Sequence, residues 1–135
     1  MGDRTARIRD RWLAAALLLA ACGWPPAGAA ADAADPVQQW QQLVRANIVR
    51  YACGAAPRDA GRQVHFAYAM SDARLLALTA LAKRQNVPTS DAGVLADIDR
   101  RRAEEEKAAR DVVAQRGCGD PQIRELIGLA DRASN

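Results

Sequence analysis

Apolar residues recur at helical spacing along most of the chain after residue 35. The clearest series has apolar side chains three or four residues apart, which places them on one face of a helix: Val37, Trp40, Val44, Ile48 and Tyr51. The segment from about 60 to 86 is the longest apolar element, and two further helical segments follow it. No segment alternates apolar and polar residues as a half-buried strand does. The pattern therefore predicts an all-α fold.

Capping residues and prolines set the limits of these helices. Asp35-Pro36 and Asp120-Pro121 each combine a good N-cap residue with a proline in the first helical position. Asp59 and the Thr-Ser-Asp run at 89–91 offer further N-caps, and Val87-Pro88 ends the second helix, because a residue before proline avoids helical geometry. The predicted helices are 36–53, 60–86, 91–116 and 121–132.

Short connections between the predicted helices favour antiparallel neighbours. The first helix is expected to run up, the second down and the third up, followed by a short fourth helix. Residues 36–135 are therefore predicted to form a small up-down-up antiparallel helical bundle. This order places the ends of the first and third helices at the same end of the bundle.

The first 35 residues follow a different pattern. Four arginines between residues 4 and 11 precede an uninterrupted apolar run of ten residues, 12–21, which is followed by prolines and small residues. A charged start, a short apolar run and a small-residue end are typical of a secretion signal. The run is shorter than the roughly 20 apolar residues that span a bilayer. The chain is therefore predicted to be exported.

Directly after the apolar run, Leu19-Ala20-Ala21-Cys22 resembles the lipobox of bacterial lipoproteins. The resemblance covers this segment only. It implies a signal peptide at 1–22, lipidation of Cys22, a flexible linker at 23–35 and anchoring to the outer membrane in the periplasm. The alternative is ordinary cleavage after Ala27-Gly28-Ala29, which would make the signal 1–29 and leave the protein free in the periplasm.

Two cysteines, Cys53 and Cys118, lie in the helical domain at the predicted ends of the first and third helices. Cysteines of exported proteins tend to pair, and the predicted topology brings these two together. A disulfide is therefore expected, with two buried free thiols as the alternative. Closing a loop of about 65 residues should stabilise the fold by roughly 4 kcal/mol.

Charge and candidate chemistry exclude several classes of function. From Pro36 onward, 15 Lys and Arg face 12 Asp and Glu, a balance too mild to predict nucleic acid as a partner. Neither cysteine has a second Cys or His nearby, so no metal site is expected. The only histidine, His65, lies two turns from Asp72 on a solvated face, too far for a catalytic pair.

The predicted helix lengths suggest one partner-binding surface. If the first helix is aligned from the disulfide end, it reaches only to about Ala77 and Arg101, so the tip of the following hairpin lacks a cover. The apolar residues expected to be partly exposed there are Leu78, Leu81, Val94, Leu95 and Ile98. Such a patch often marks an interaction surface. The alternative is that the hairpin bends, that the linker before the first helix covers the tip, or that small residues close the gap.

A charged interruption marks the apolar face of the third helix. Arg101, Arg102 and Glu105 share the face that carries Val94 and Ile98. The favoured interpretation is that these long side chains extend outward to solvent along the helix surface. The alternative is a charged cluster within a binding surface.

Together these patterns predict a non-enzymatic, exported cell-envelope protein that serves as a protein-interaction module. Its partner would be another protein or a second copy of the chain, and a lipid anchor would add the membrane. No cofactor is expected. The alternative function is a small periplasmic helical chaperone or a stress-protective structural component that acts through exposed apolar surface.

Overall fold

The computed structural model describes residues 34–135, which form four α-helices. They are α1 Pro36–Ala52, α2 Ala60–Gln85, α3 Ala92–Arg116 and α4 Pro121–Arg132. The all-α prediction is confirmed, and every predicted helix limit lies within one residue of the observed one. The predicted signal segment, lipidation at Cys22 and nearly all of the linker 23–35 lie outside the described residues.

An aspartate caps the start of each helix. Its carboxylate accepts a hydrogen bond from a backbone N–H of the first turn at Asp35, Asp59, Asp91 and Asp120. At the other end of α2, Asn86 takes up the left-handed conformation, with φ 55°, that commonly terminates a helix. These signals are local in sequence, which explains why the predicted helix limits agree so closely with the structure.

α1 is the helix around which the others pack. α2, α3 and α4 each make extensive contact with α1, whereas α2 and α3 make few direct contacts with each other. Near the turn at Pro88, Trp40 of α1 shares a buried cluster with Leu81 of α2 and Ile98 of α3. Two further clusters join α1 to α2 and α4, and α1 to α3 and α4. Side chains from α1 therefore contribute to every part of the core.

The cluster near Pro88 corrects the prediction of an exposed apolar patch at the hairpin tip. Four of its five residues are at most 6% exposed: Leu78, Leu81, Val94 and Ile98. Only Leu95, at 36%, is exposed. Val37 and Trp40 of α1 pack in the same cluster and are themselves buried. The hairpin tip is therefore part of the core.

The hairpin tip is buried because of where α1 lies along α2. Asp35, the N-cap of α1, forms an ion pair of 2.7 Å with Arg84, close to the end of α2. In the last turn of α1, Arg50 lies 4.4 Å from the centre of the Phe66 ring, which is already in the second turn of α2. The connection after α1 therefore lets α2 begin beyond the end of α1, and α1 covers the hairpin down to its tip.

A disulfide joins Cys53 to Cys118, with the two Cα atoms 5.7 Å apart. Cys53 directly follows α1, and Cys118 lies two residues beyond the end of α3. The predicted pairing is therefore confirmed. The bond links the ends of two helices that are 65 residues apart in sequence.

A largely buried ion pair also joins α1 to α3. Arg45 donates to Oε2 of Glu105 from Nε at 2.9 Å and from Nη2 at 2.6 Å. Gln41 donates to the other carboxylate oxygen at 3.2 Å. Glu105 therefore does not extend outward to solvent as expected, because α1 supplies its partners. Arg102, by contrast, is exposed and pairs with Glu106 along the surface of α3.

Replacing both disulfide cysteines, as Cys53→Ser with Cys118→Ser, should lower the free energy of unfolding by about 4 kcal/mol. The physical reason is the greater conformational entropy of the unfolded chain once the loop is open. Urea unfolding of the oxidised chain and the double variant measures the difference. A loss that falls below about 1 kcal/mol would contradict a structural role for the bond.

Glu105→Ala should lower the free energy of unfolding by about 1 to 3 kcal/mol, because it removes a largely buried carboxylate that accepts three hydrogen bonds from side chains of α1. The matched control is Glu104→Ala, since Glu104 is exposed and pairs only within α3, with Arg100 at 2.8 Å. The control should leave the urea midpoint unchanged. Equal effects of the two substitutions would show that the ion pair between Arg45 and Glu105 adds no stability.

Candidate functional site

Two adjoining spaces lie over α1, the larger lined by α1 and α2 and the smaller by α1, α2 and α3. One ion pair among the described residues joins α2 to α3, between Arg74 and Asp99 at 3.7 Å. The two spaces measure about 420 and 90 Å³ and share Asn47, Met70 and Arg74. We call the combined space the cleft. Its main lining residues are Asn47, Tyr51, Met70, Ser71, Arg74 and Arg102.

The floor of the cleft is one face of α1. Val44, Asn47, Ile48 and Tyr51 follow the i, i+3, i+4, i+7 spacing of a helical face and all line the cleft. Val44 is buried beneath α2 and α3, Ile48 is half-buried, and Tyr51 is 56% exposed. The apolar face that the sequence assigns to the core is therefore covered near Pro88 and becomes progressively exposed toward the end of α1.

A buried arginine lies in the wall of the cleft where α1, α2 and α4 meet. Arg50 is only 1% exposed. Its Nη1 donates to Ser134 Oγ at 2.8 Å and to the Ala130 carbonyl at 3.4 Å, and its Nη2 donates to Asn47 Oδ1 at 3.2 Å. The guanidinium also lies over the Phe66 ring. These contacts fasten the end of α4 to α1 and α2.

The charge of Arg50 is only partly compensated. Burial lowers the pKa of its guanidinium, and the nearby Asp131 carboxylate acts in the opposite direction. Asp131 lies 4.0 Å from Nη1 and is itself partly exposed. The Nε of Arg50 is buried and has no hydrogen-bond partner among the described residues.

Sequence reasoning missed this arrangement because its signals are not local. The apolar series predicted Tyr51 on the core face, yet Tyr51 is exposed and its neighbour Arg50 is buried instead. Two of the three acceptors of Arg50, Ala130 and Ser134, lie more than 75 residues later in the chain. No spacing within α1 marks an arginine for burial, so only the packing of α4 identifies it.

Arg50→Met should lower the free energy of unfolding by about 2 to 3 kcal/mol, because the substitution keeps the packed volume but removes charged hydrogen bonds to α4. The matched control, Arg110→Met, replaces an exposed arginine of α3 and should have little effect. Urea unfolding measures the loss, and amide hydrogen exchange should show faster exchange in α4. Unchanged exchange in α4 would contradict the role assigned to Arg50.

A second exposed surface lies on α2 beside the cleft. Four large apolar side chains there are 50 to 68% exposed: Val64, Tyr68, Leu75 and Leu76. Three of them share one helical face, since Tyr68 and Leu75 are 4 and 11 residues after Val64. Ser71 belongs to the same face and also lines the cleft. We call Val64, Tyr68, Leu75 and Leu76 the outer stripe; the first three share this face, which borders the cleft at Ser71, and Leu76 lies to one side of it.

The other polar side chains considered as candidates do not form a catalytic pair or a metal site among the described residues. His65 and Asp72 are exposed, and neither forms a hydrogen bond or ion pair with any described residue. Asp97 pairs with Arg100 and Arg101, whereas Asp99 faces Arg74 on α2, so the two carboxylates do not act together. Within residues 34–135, no group of three or more His, Cys, Asp or Glu side chains could hold a metal ion.

No family model, curated protein or solved structure matches this chain. None of the helices between residues 34 and 135 combines the length and apolar character needed to cross a membrane. The features that the described residues bring together are therefore the cleft and the outer stripe. Both are open to solvent, and both present apolar side chains next to polar ones, an arrangement suited to binding.

Proposed function

We propose that this chain is an exported protein-interaction module of the cell envelope, which binds its partner through α2. The observation that supports this most directly is the distribution of exposed large apolar side chains. Of the six in the described part of the chain, the four of the outer stripe lie on α2, and Tyr51 lies beside α2 in the cleft. Single exposed apolar residues are ordinary, but several large ones on one helix favour an interaction surface.

The fold itself has no need of the outer stripe. α2 already buries a separate face, which includes Phe66, Ala77 and Leu81, against α1 and its neighbours. Three of the four members of the outer stripe thus form a second apolar face on the same helix. A partner that covered it would remove apolar surface from water, which favours association.

The proposed location rests on the sequence and on the disulfide. A secretion signal would deliver the domain to an oxidising compartment, where a disulfide such as Cys53–Cys118 persists. Lipidation of Cys22 would anchor the chain to the outer membrane and keep α2 close to envelope partners. The partner is another envelope protein, with a second copy of this chain as the other form of the same proposal.

A small helical chaperone is the second candidate. The observation that favours it is the chemistry of the outer stripe, whose four members are apolar or aromatic and carry no charge. Such a surface can bind unfolded segments of many sequences. Suppression of aggregation of unrelated unfolded proteins by the purified chain, lost in Tyr68→Glu with Leu75→Glu, would favour this function over a single partner.

Photo-crosslinking in the native cell envelope tests the proposed function. A benzophenone amino acid at Tyr68 or Leu75 should give one discrete product whose yield saturates, because these side chains would lie inside the contact. The matched control is the same probe at Glu125, an exposed position on α4, where no product is expected. Products of equal yield from Glu125, or none from α2, would contradict binding through α2.

A probe at Leu95 separates this surface from the hairpin tip that the sequence suggested. Leu95 is the one exposed member of that predicted patch. The proposal expects no product from this position. A product from Leu95 without one from Tyr68 or Leu75 would move the contact from α2 to the tip.

A further inference from the structure

The exposed face of α2 is arranged so that it can pair with a second copy of itself. We infer that this chain forms a symmetric dimer in which the α2 helices of two copies pack antiparallel through this face, with His65 of each copy beside Asp72 of the other. The inference rests on the proposed function, because it identifies a second copy as the partner that binds through α2.

The spacing along this face is complementary to itself in one antiparallel register. Val64, Tyr68, Ser71 and Leu75 alternate by four and three residues, the spacing of a contact between two helices, and we call these four residues the seam. A two-fold axis through the midpoint of the seam sets Val64 opposite Leu75 of the second copy. The same axis sets Tyr68 opposite Ser71. A large side chain therefore faces a small one at the centre, with apolar pairs at both ends.

The fold of the single chain leaves the seam open. All four seam residues are exposed, whereas Phe66 and Ala77, which α2 buries against the rest of the bundle, lie on the opposite side of the helix. Ala67, next to the seam, is also exposed. Small side chains such as Ala67 and Ser71 allow two helix axes to approach closely. The seam is therefore accessible to a second helix without repacking of the core.

The charges beside the seam also match across the two-fold axis. Between residues 61 and 79, the exposed side chains that can carry a charge near neutral pH are His65 and Asp72, and both lie on the same side of the seam. An axis perpendicular to both helices keeps that side together in the two copies. His65 of each copy then lies within about one helical turn, measured along the helix, of Asp72 of the other.

His65 and Asp72 gain partners in this contact that the single chain does not give them. Neither side chain forms a hydrogen bond or ion pair with any described residue. An imidazole can donate a hydrogen bond to a carboxylate whether or not it is protonated. The dimer therefore contains two His65–Asp72 pairs related by symmetry, one at each side of the axis.

A match in both shape and charge favours a second copy over an unrelated partner. In a symmetric contact, the complement of every residue must lie within the same patch of the same chain. The seam and its flanking pair meet this condition, which a surface for a different protein need not meet. Because the contact is a single pair of helices, the dimer should form reversibly, and a shared membrane anchor would raise its local concentration.

The same contact reaches the edge of the cleft. Ala67 and Ser71 line the larger space together with Tyr51. Since Ser71 belongs to the seam and Ala67 lies next to it, the second copy would extend along the side of the cleft that α2 forms, toward Tyr51.

Thiol crosslinking between two cysteine variants tests the antiparallel register. Val64→Cys and Leu75→Cys are prepared separately, each with Cys22→Ser and with the Cys53–Cys118 bond intact. These two positions face each other in the dimer, so a mixture of the two variants should give a crosslinked dimer with a short bis-thiol reagent. Each variant alone should give little product, because its two cysteines would lie roughly 16 Å apart along the helices.

The matched control is a mixture of Val64→Cys with Glu125→Cys, an exposed position on α4, which should give no crosslinked dimer. Equal yields from the two mixtures would overturn the inference, because the product would then come from random collision. Strong crosslinking within either single variant would also overturn it, since the two α2 helices would then be parallel or in another register.

A charge exchange tests the pairing of His65 with Asp72. His65→Glu should raise the dissociation constant of the dimer about fivefold in sedimentation equilibrium, because two carboxylates then face each other on each side of the axis. Adding Asp72→Lys should restore the constant to within about twofold of the unchanged chain. The matched control, Gln115→Glu, adds the same charge at an exposed position of α3 and should change it by less than about twofold.

The inference and the proposed function fail in different ways. A chain that stays monomeric in sedimentation, while a probe at Tyr68 captures a different envelope protein, would overturn the inference and leave binding through α2 in place. Weakening by His65→Glu without recovery in the double variant would overturn the inferred pairing. Loss of all crosslinks from Tyr68 and Leu75 would instead contradict the proposed function itself.

Discussion

The burial of α1 among three other helices is the interaction on which the rest of the structure depends. Each buried cluster includes α1 side chains, and two arginines of α1 reach outward to its neighbours, Arg45 to Glu105 and Arg50 to the end of α4. The disulfide fixes the end of α1 to the end of α3. A domain of about 100 residues can build only one modest core, and here that core follows a single helix.

The same constraint leaves apolar surface uncovered. α1 has 17 residues and α2 has 26, so α1 alone cannot cover α2, and α2 and α3 make few direct contacts with each other. The apolar face of α1 therefore continues from the core at Trp40 into the open cleft at Tyr51. The outer stripe adds a second uncovered face on α2. A binding function is the simplest explanation for a small fold that leaves both exposed.

Features encoded by neighbouring residues could be predicted from the sequence, and features set by distant ones could not. Aspartate caps and prolines located the helices, and the resulting ends brought Cys53 and Cys118 together. The position of α1 along α2 could not be predicted, because it depends on how the connection between them is folded, so Leu78 and Ile98 were wrongly expected to be exposed. The cleft was missed for the same reason, and the burial of Arg50 depends on α4.

Hydroxyl-radical footprinting in the intact cell envelope tests the central claim, that a partner covers the cleft and the α2 face beside it. In the dilute purified chain, Tyr51, Tyr68 and Leu95 are all exposed and should be oxidised. In the envelope, we expect strong protection of Tyr51 and Tyr68 and unchanged oxidation of Leu95 at the hairpin tip. Equal oxidation of Tyr51 and Tyr68 in both settings, or protection of Leu95 alone, would contradict the account.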